Sequence, residues 1–217
     1  MAHIRLYKPT DLGPCIQIFK KTADSSLNTP NLLTLGSYLW CRPYLKLSPQ
    51  TSFILDNGSG KAVGYCIGTA NTRSFARKWR KEYLPYLAET KDDHDPVIFS
   101  PPEEAEGRES DLLGSLWTNI DEGMNSSIPG LWEAFPGHLH IDILSEFQGQ
   151  GWGGKMIETL LETLKDEGCI GVHMGVVASN HRALRFYERL GFERCKGVSE
   201  GGEGGRKGGA VIMVKEL

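Results

Sequence analysis

The sequence predicts a mixed α/β fold (α+β), in which helices flank one sheet and a helical insertion precedes a central βαβ unit. Three observations support this class. Short apolar runs typical of strands alternate with segments of helical periodicity. A glycine-rich stretch, SEFQGQGWGGKM (145–156), joins a predicted strand to a predicted helix. The 217 residues, 40% apolar and 24% charged, suit a globular protein, which we expect to form a single domain over residues 1–217.

The first part of the chain predicts a strand, a helix and a hairpin. IRLYKP (4–9) alternates as a strand does, and Thr10 is a candidate N-cap for the helix that follows. TSFILD (51–56) and KAVGYCIGTA (61–70), separated by turn residues, predict a hairpin.

Residues 71–136 form the expected insertion, which we expect to shape the acceptor site. TRSFARKWRKEYLPYL (72–87) predicts an amphipathic helix, and DLLGSLWTNI (111–120) predicts another. Between them, residues 89–108 are acidic and rich in proline, which predicts a loop or a mobile flap.

The last part of the chain alternates strands and helices. The predicted elements are the strand HLHIDIL (138–144), a helix over 151–167, the strand IGVHMGVV (170–177), the helix HRALRFYERLG (181–191), and a final strand pair, FERCKG (192–197) and AVIMVKEL (210–217), joined by the glycine-rich loop SEGGEGGRKGG (199–209).

Composition excludes several classes of function. A net charge of −3 provides no basic field for nucleic acid. No apolar run reaches the eighteen residues of a membrane span, so we expect no membrane partner. The five cysteines are odd in number and lack CxxC spacing, which predicts reduced thiols in the cytoplasm or nucleus and no metal site.

The glycine-rich stretch has the layout of an anion site. The first turn of a helix has N–H groups without intrahelical partners, and glycine lets them approach a phosphate closely. Two other interpretations compete. Gly149, Gly151 and Gly154 spell the dinucleotide pattern GxGxxG, but GVVASN lacks the acidic residue that such a site needs about twenty positions later. Alternatively, the glycines serve packing alone.

Two linked segments resemble the GCN5-related N-acetyltransferases (GNAT). Gln148-x-x-Gly151-x-Gly153 is similar to that family's pyrophosphate loop, and VVASNHRALRFYERLGFE (176–193) is similar to its second cofactor segment. The resemblance implies a mixed, mostly antiparallel sheet of about seven strands with splayed parallel central strands. It also implies acetyl-CoA as the donor and direct transfer of its acetyl group to an amine.

A narrower resemblance concerns GYCIGTANTRSFARKWRKEYLPYL (64–87) together with HLHIDIL. These segments resemble the acetyltransferase-like C-terminal domain of animal O-GlcNAc hydrolase and its free-standing microbial relatives. The animal domain lacks the glycine loop that this chain has.

The resemblance implies a cofactor site along the loop and the strand before it. Backbone amides of the loop would hold the pyrophosphate, and an amide near Ile143 or Leu144 would polarise the thioester carbonyl. Asn180 would either bond the pantetheine amides or cap the last helix, a role for which Ser179 competes. The residues expected to bind acetyl-CoA are Ile143, Leu144, Gln148, Gly149, Gln150, Gly151, Trp152, Gly153, Gly154, Asn180 and Tyr187.

The candidate general base is Asp142 or His140, because His138, His140 and Asp142 alternate on one face of their strand. The alternative is that they are satisfied polar residues under the insertion, and a bulge would change which face they share. By resemblance, Tyr187 is the acid for the leaving thiolate; alternatively it is a core aromatic. A covalent intermediate on Cys66 or Cys169 lacks a supporting His–Asn pair.

The acceptor is expected to be a small primary amine such as an aminosugar, with Trp79, Tyr83 and Trp117 available to stack on a sugar face. The first alternative is a lysine of a protein such as a histone, received by an acidic groove. The second is a non-catalytic acetyl-CoA-binding module. The sequence leaves open whether the chain forms a homodimer. The acids that would line the groove are Glu103, Glu104, Glu106, Glu109 and Asp111.

Overall fold

The computed structural model describes residues 1–196 and 210–217. Its strands are β1 (His3–Leu6), β2 (Ser52–Asp56), β3 (Ala62–Thr69), β4 (Gly137–Ile143), β5 (Gly171–Val177), β6 (Glu193–Arg194) and β7 (Ala210–Glu216). Within these residues they form one sheet in the order β1-β2-β3-β4-β5-β7-β6. All neighbouring strands are antiparallel except β4 and β5. The predicted mixed, mostly antiparallel sheet is confirmed.

Helices cover both faces of this sheet. They are α1 (Leu12–Thr22), α2 (Pro30–Trp40), α3 (Arg42–Leu47), α4 (Thr72–Lys78), α5 (Leu84–Glu89), α6 (Gly107–Trp117), α7 (Ile120–Gly123), α8 (Leu131–Ala134), α9 (Trp152–Asp166) and α10 (His181–Arg189). Apolar residues of α9 and α10 pack on one face, and those of α1 to α7 pack on the other. In the part of the chain that is described, no helix combines the length and apolar character needed to cross a bilayer.

The central parallel pair separates along its length. β4 and β5 pair only at Gly137–Val172 and His138–His173. Beyond these pairs β4 continues along β3 to Ile143, whereas β5 continues along β7 to Val177. Each strand is therefore fully paired on its outer side, and a gap opens between them toward their carboxyl ends. The predicted splay is confirmed.

The first helix begins differently from the prediction. Thr10 is not its N-cap, because a 3₁₀ turn over Pro9–Asp11 precedes α1. The Asp11 carboxylate instead accepts a hydrogen bond from the Lys8 amide at 2.8 Å and forms an ion pair with Arg5 at 2.7 Å. Asp11 therefore joins the start of the helix to β1.

Helices α2 and α3 were missed by the sequence analysis, although the first of them has a local signal. Thr29 precedes Pro30, and its hydroxyl accepts a hydrogen bond from the Leu32 amide at 3.2 Å. Threonine at the N-cap followed by proline at the first helical position is a typical helix start.

The segment 71–136 is helical and lies between β3 and β4, as predicted. The predicted helix over 72–87 contains a π-helical turn at Trp79–Tyr83, which connects α4 to α5 just before Pro85. The predicted flap over 89–108 is anchored, because Ile98 is fully buried and its carbonyl accepts a hydrogen bond from the Trp117 indole at 2.6 Å. The glycine-rich loop 199–209 lies outside the described residues.

Candidate active site

The polar residues of β4 share one face of the sheet, as predicted. Its register with β3 is continuous from Gly64–Ile143 to Thr69–His138, so the strand carries no bulge that would change this facing. Asp142 and His140 lie on the side covered by α1 and α3, while Leu139 packs against α9 on the other side. The carboxylate and the imidazoles therefore point toward the same cleft.

Asp142 lies beside a buried tyrosine. The Tyr65 hydroxyl donates a short hydrogen bond to its carboxylate. Burial raises the pKa of Asp142 to about 6, and hydrogen bonds from Tyr65 and Thr22 oppose part of this rise. A carboxylate with this pKa is ionised at pH 7 yet accepts a proton more readily than an ordinary aspartate does.

His140 lies at the end of a chain of hydrogen bonds. Its Nε2 is 3.0 Å from the Tyr44 hydroxyl, which is 2.6 Å from Nε2 of His138. Nδ1 of His138 is 2.7 Å from the Thr72 hydroxyl. Burial and the neighbouring imidazoles hold the pKa of His138 well below its ordinary value, so this ring is neutral.

A cleft of about 1180 Å³ contains this polar face. It is bounded by the segment between α1 and α2, by α6 and α7, and by the facing ends of β4 and β5. Histidines aside, the described residues that line the cleft include one basic side chain, Arg108, and a larger number of carboxylates. Those carboxylates are Asp24, Asp111, Glu122 and Asp142.

Of the three predicted stacking aromatics, Tyr83 and Trp117 do not line the cleft, and Trp79 lines it but is too buried to stack on a sugar. Trp79 and Tyr83 are each 1% exposed and pack in the core, with hydrogen bonds to the carbonyls of Leu116 and Tyr38. Trp117 contributes to packing around Ile98 and does not line the cleft. The four-residue spacing of Trp79 and Tyr83 marks the buried face of the predicted 72–87 helix. The tryptophan, tyrosine and phenylalanine residues that line the cleft are Phe19, Trp40, Tyr44, Trp79 and Tyr187.

Tyr187 is both a core residue and a cleft residue. It is 8% exposed, lines the cleft, and contacts the rings of Phe186 and Phe192 at 5.1 and 5.7 Å. Burial raises its pKa, so the phenol keeps its proton at neutral pH.

The glycines of the loop have different structural roles. Gly149 and Gly151 have φ angles of +74° and +82°, and a Cβ at either position would meet open space. Gly151 precedes the first turn of α9. At Gly153, by contrast, a Cβ would lie 3.0 Å from the Phe186 ring. Packing thus explains Gly153. Gly149 and Gly151 instead allow a left-handed backbone conformation at positions that border open space.

The end of β4 distinguishes the two candidate thioester amides. The Leu144 amide donates to the Val63 carbonyl at 2.9 Å, so it is engaged with β3 and does not point into the gap. Because amides alternate in direction along an antiparallel strand, those of Ile143 and Ile141 point toward the gap. Gln148 donates to the Ile143 carbonyl at 2.7 Å, which connects the loop to this strand end.

Asn180 caps α10, and Ser179 does not, since the Asn180 side chain accepts a hydrogen bond from the Ala183 amide at 3.0 Å. Cys66 and Cys169 are core thiols that are 0% and 4% exposed, and burial raises the pKa of both. This environment does not favour a thiolate nucleophile.

The sequence matches proteins of known family. A model described as the acetyltransferase (GNAT) family matches residues 68–192. The chain is 26% identical over 199 residues to protein O-GlcNAcase from Rattus norvegicus, covering 89% of this chain and 20% of that protein. It is 35% identical over 83 residues to mycothiol acetyltransferase from Kocuria rhizophila, covering 38% of this chain and 26% of that protein. The chain thus spans about a fifth of the length of the O-GlcNAcase.

Solved structures share the architecture. The crystal structure of SsHAT is 28% identical, with a TM-score of 0.79, and the match covers 99% of this chain and 98% of that one. A polyamine N-acetyltransferase of Drosophila melanogaster is 14% identical, with a TM-score of 0.56 and full coverage of both chains, which shows the fold alone.

Proposed function

Because the chain belongs to the acetyltransferase (GNAT) family, we propose that its cleft transfers the acetyl group of acetyl-CoA directly to a small primary amine. Acetyl-CoA-dependent N-acetyl transfer is the activity of the family and of the related acetyltransferases. The acceptor and the roles of individual residues are our proposal. The observation that carries it is that the cleft holds Asp142 and Tyr187 and also reaches the facing ends of β4 and β5.

The loop suits the pyrophosphate of acetyl-CoA. A cradle for phosphate needs backbone amides that no side chain covers, and a Cβ at Gly149 or Gly151 would project into open space. The first turn of α9 adds amides without intrahelical partners and the positive end of the helix dipole. Trp152, Gln150 and Gly154 belong to the same loop and first turn, and we assign them to this site. The side-chain oxygen of Asn180 accepts the capping hydrogen bond, so its side-chain nitrogen is the group that would reach pantetheine.

Asp142 would act as the general base. An amine attacks only when neutral, and an amine with a pKa near 8 costs about 1.4 kcal/mol to deprotonate at pH 7, against about 4.6 kcal/mol for a lysine. As the new C–N bond forms, the nitrogen becomes acidic and releases its proton. The ionised Asp142 carboxylate is placed in the cleft to receive this proton, directly or through a water.

Ile143 and Tyr187 would stabilise the charges that develop on the other atoms. The Ile143 amide points into the gap and can donate to the carbonyl oxygen of the thioester, an interaction worth about 3 kcal/mol. When the C–S bond breaks, the electron pair stays on sulfur. Tyr187 would donate a hydrogen bond to that sulfur, and its raised pKa means that the phenol retains a proton to donate.

The lining of the cleft supports a small cationic acceptor. Carboxylates outnumber basic side chains in this lining, and Trp40 offers a partly exposed aromatic surface. Of the five acids that the sequence proposed for an open peptide groove, only Asp111 lines the cleft. An aminosugar, with its amine and apolar ring face, remains our first choice.

Parallel assays would test the acceptor. CoA release would be followed with glucosamine and with a lysine-rich peptide at matched concentrations, using Gly151→Glu protein as the control for background thioester hydrolysis. We expect acetylation of glucosamine above this background. Acetylation of the peptide alone would overturn the small-amine proposal, and binding of acetyl-CoA without turnover of any amine would favour a binding module.

A further inference from the structure

We propose that Tyr44 is a positioning residue that, together with His138 and Thr72, holds His140 as the tautomer with hydrogen on Nε2 and the lone pair on Nδ1. The tautomer of His140 does not depend on the proposed function. Only the expected loss of acetyl transfer in Tyr44→Phe rests on it. The positions of single hydrogen atoms along a series of short polar contacts determine this tautomer.

The chain begins at a backbone carbonyl, which cannot donate. The Thr72 hydroxyl lies 2.7 Å from the Pro136 carbonyl oxygen, so a hydrogen must lie between these oxygens, and only Thr72 can supply it. The same hydroxyl is 2.7 Å from Nδ1 of His138. Since Thr72 has used its one hydrogen, His138 must donate from Nδ1.

The remaining contacts follow in the same direction. His138 is neutral, so its Nε2 has a lone pair and accepts from the Tyr44 hydroxyl at 2.6 Å. Tyr44 has then used its one hydrogen. Its oxygen therefore accepts from Nε2 of His140 at 3.0 Å, which places the His140 lone pair on Nδ1.

Packing holds this chain in place independently of its hydrogen bonds. The Tyr44 ring stacks on Phe75 with centroids 4.7 Å apart and planes inclined by 22°. Tyr44 and His138 are 2% and 5% exposed. Because the Pro136 carbonyl at the start of these hydrogen bonds has no proton to pass on, they orient His140 and do not conduct protons.

Thr72 thereby controls the tautomer of an imidazole, that of His140, which it does not touch. Without the Thr72 hydroxyl, His138 is free to move its hydrogen to Nε2. Tyr44 must then accept from His138 and donate to His140, which transfers the His140 hydrogen to Nδ1. A residue with only a packing role would not produce this effect two side chains away.

The test is the tautomer of His140, measured by long-range proton–nitrogen correlation NMR on protein labelled with ¹⁵N-histidine and assigned with His140→Gln. We expect hydrogen on Nε2 in the wild type, a mixture of tautomers in Tyr44→Phe and in Thr72→Val, and the wild-type tautomer in Thr72→Ser. Tyr38→Phe is the matched control, since the Tyr38 hydroxyl is paired with a different histidine, His94, at 3.0 Å.

Loss of one such hydrogen bond should also lower kcat/KM by about 2- to 10-fold in Tyr44→Phe. Hydrogen on Nδ1 of His140 in the wild type, or an unchanged tautomer in both Tyr44→Phe and Thr72→Val, would overturn the proposal. If Tyr44→Phe does not fold, the comparison of the His140 tautomer between Thr72→Val and Thr72→Ser is sufficient to test the proposal. A wild type that acetylates no amine would refute the proposed function and leave the tautomer result intact.

Discussion

The raised pKa of Asp142 should reduce the stability of the fold, and removal of its charge should restore that stability. Burial disfavours the ionised carboxylate, which the hydrogen bonds from Tyr65 and Thr22 compensate only in part. Asn has nearly the same shape as Asp, and its carbonyl oxygen can still accept from Tyr65. We therefore expect Asp142→Asn to be more stable than the wild type at neutral pH and to be impaired in acetyl transfer.

The magnitude follows from the pKa in the folded and unfolded chain. The pKa of Asp142 is about 6 in the folded protein, against 3.8 for an ordinary aspartate. At about 1.4 kcal/mol per pKa unit, the penalty approaches ~3 kcal/mol at pH 7. For a chain of this length that corresponds to a rise in Tm of up to about 6–12 °C. Because the folded pKa is raised, the penalty is present above pH 6 and disappears as the pH falls toward 4.

The assay is urea unfolding of the wild type and Asp142→Asn between pH 4 and 8. Asp56→Asn is a control of opposite sign. Burial raises the pKa of Asp56, but hydrogen bonds from Arg5 and from the amides of Gly58 and Gly60 outweigh this and lower it to about 2. Asp56→Asn should therefore destabilise the protein at pH 7. Because the stabilisation by the ionised Asp56 is lost only below about pH 4, this effect should stay nearly constant across the assayed range.

The result that refutes this reasoning is a difference between wild type and Asp142→Asn that does not change with pH. A variant that is less stable than the wild type at pH 7 would also refute it. Either outcome would mean that Asp142 titrates close to an ordinary aspartate and that its ionised form is well solvated in the cleft.

Three further predictions concern the site itself. Gly151→Glu should abolish CoA binding in a calorimetric titration because its carboxylate would meet the pyrophosphate, whereas Gly151→Ala, which adds only backbone strain of about 1 kcal/mol, should retain measurable affinity; equal affinities in folded proteins would contradict the loop assignment. Tyr187→Phe should lower kcat about 10- to 10³-fold with little change in the acetyl-CoA Kd, and a kcat within twofold of wild type, with chemistry limiting, would exclude its role. Asp142→Asn should depress kcat/KM, which we expect to rise through about pH 6 in the wild type, more than His140→Ala does; if neither variant alters the profile, the base is another group.

Features with a local or periodic signal were predictable from the sequence. The alternation of β4 placed His140 and Asp142 on one face because successive side chains of a strand point to opposite sides. The glycines at 149 and 151 mark backbone that side chains rarely allow, and both have positive φ. Helix α2 has the same kind of local signal, because Thr29 caps it and Pro30 follows.

Features that depend on contacts between distant segments could not be predicted in this way. The Phe75, Trp79 and Tyr83 stripe predicts one apolar helix face, but periodicity alone does not tell a core face from a sugar-stacking face. Only tertiary contacts decide that Trp79 and Tyr83 are buried, and their polar atoms donate to the carbonyls of Leu116 in α6 and Tyr38 in α2.

The partners of the site residues were decided by tertiary structure alone. Tyr44 lies 96 positions before His140, and Tyr65 lies 77 positions before Asp142. The sequence does not mark either tyrosine as the partner of its site residue, and each reaches that residue because the sheet brings β3 and β4 together and α3 packs across them. The sequence by itself determined which groups β4 presents to the cleft. Their pKa values, and the tautomer that we infer, depend on burial and on single hydrogen bonds, which exist only once the chain has folded.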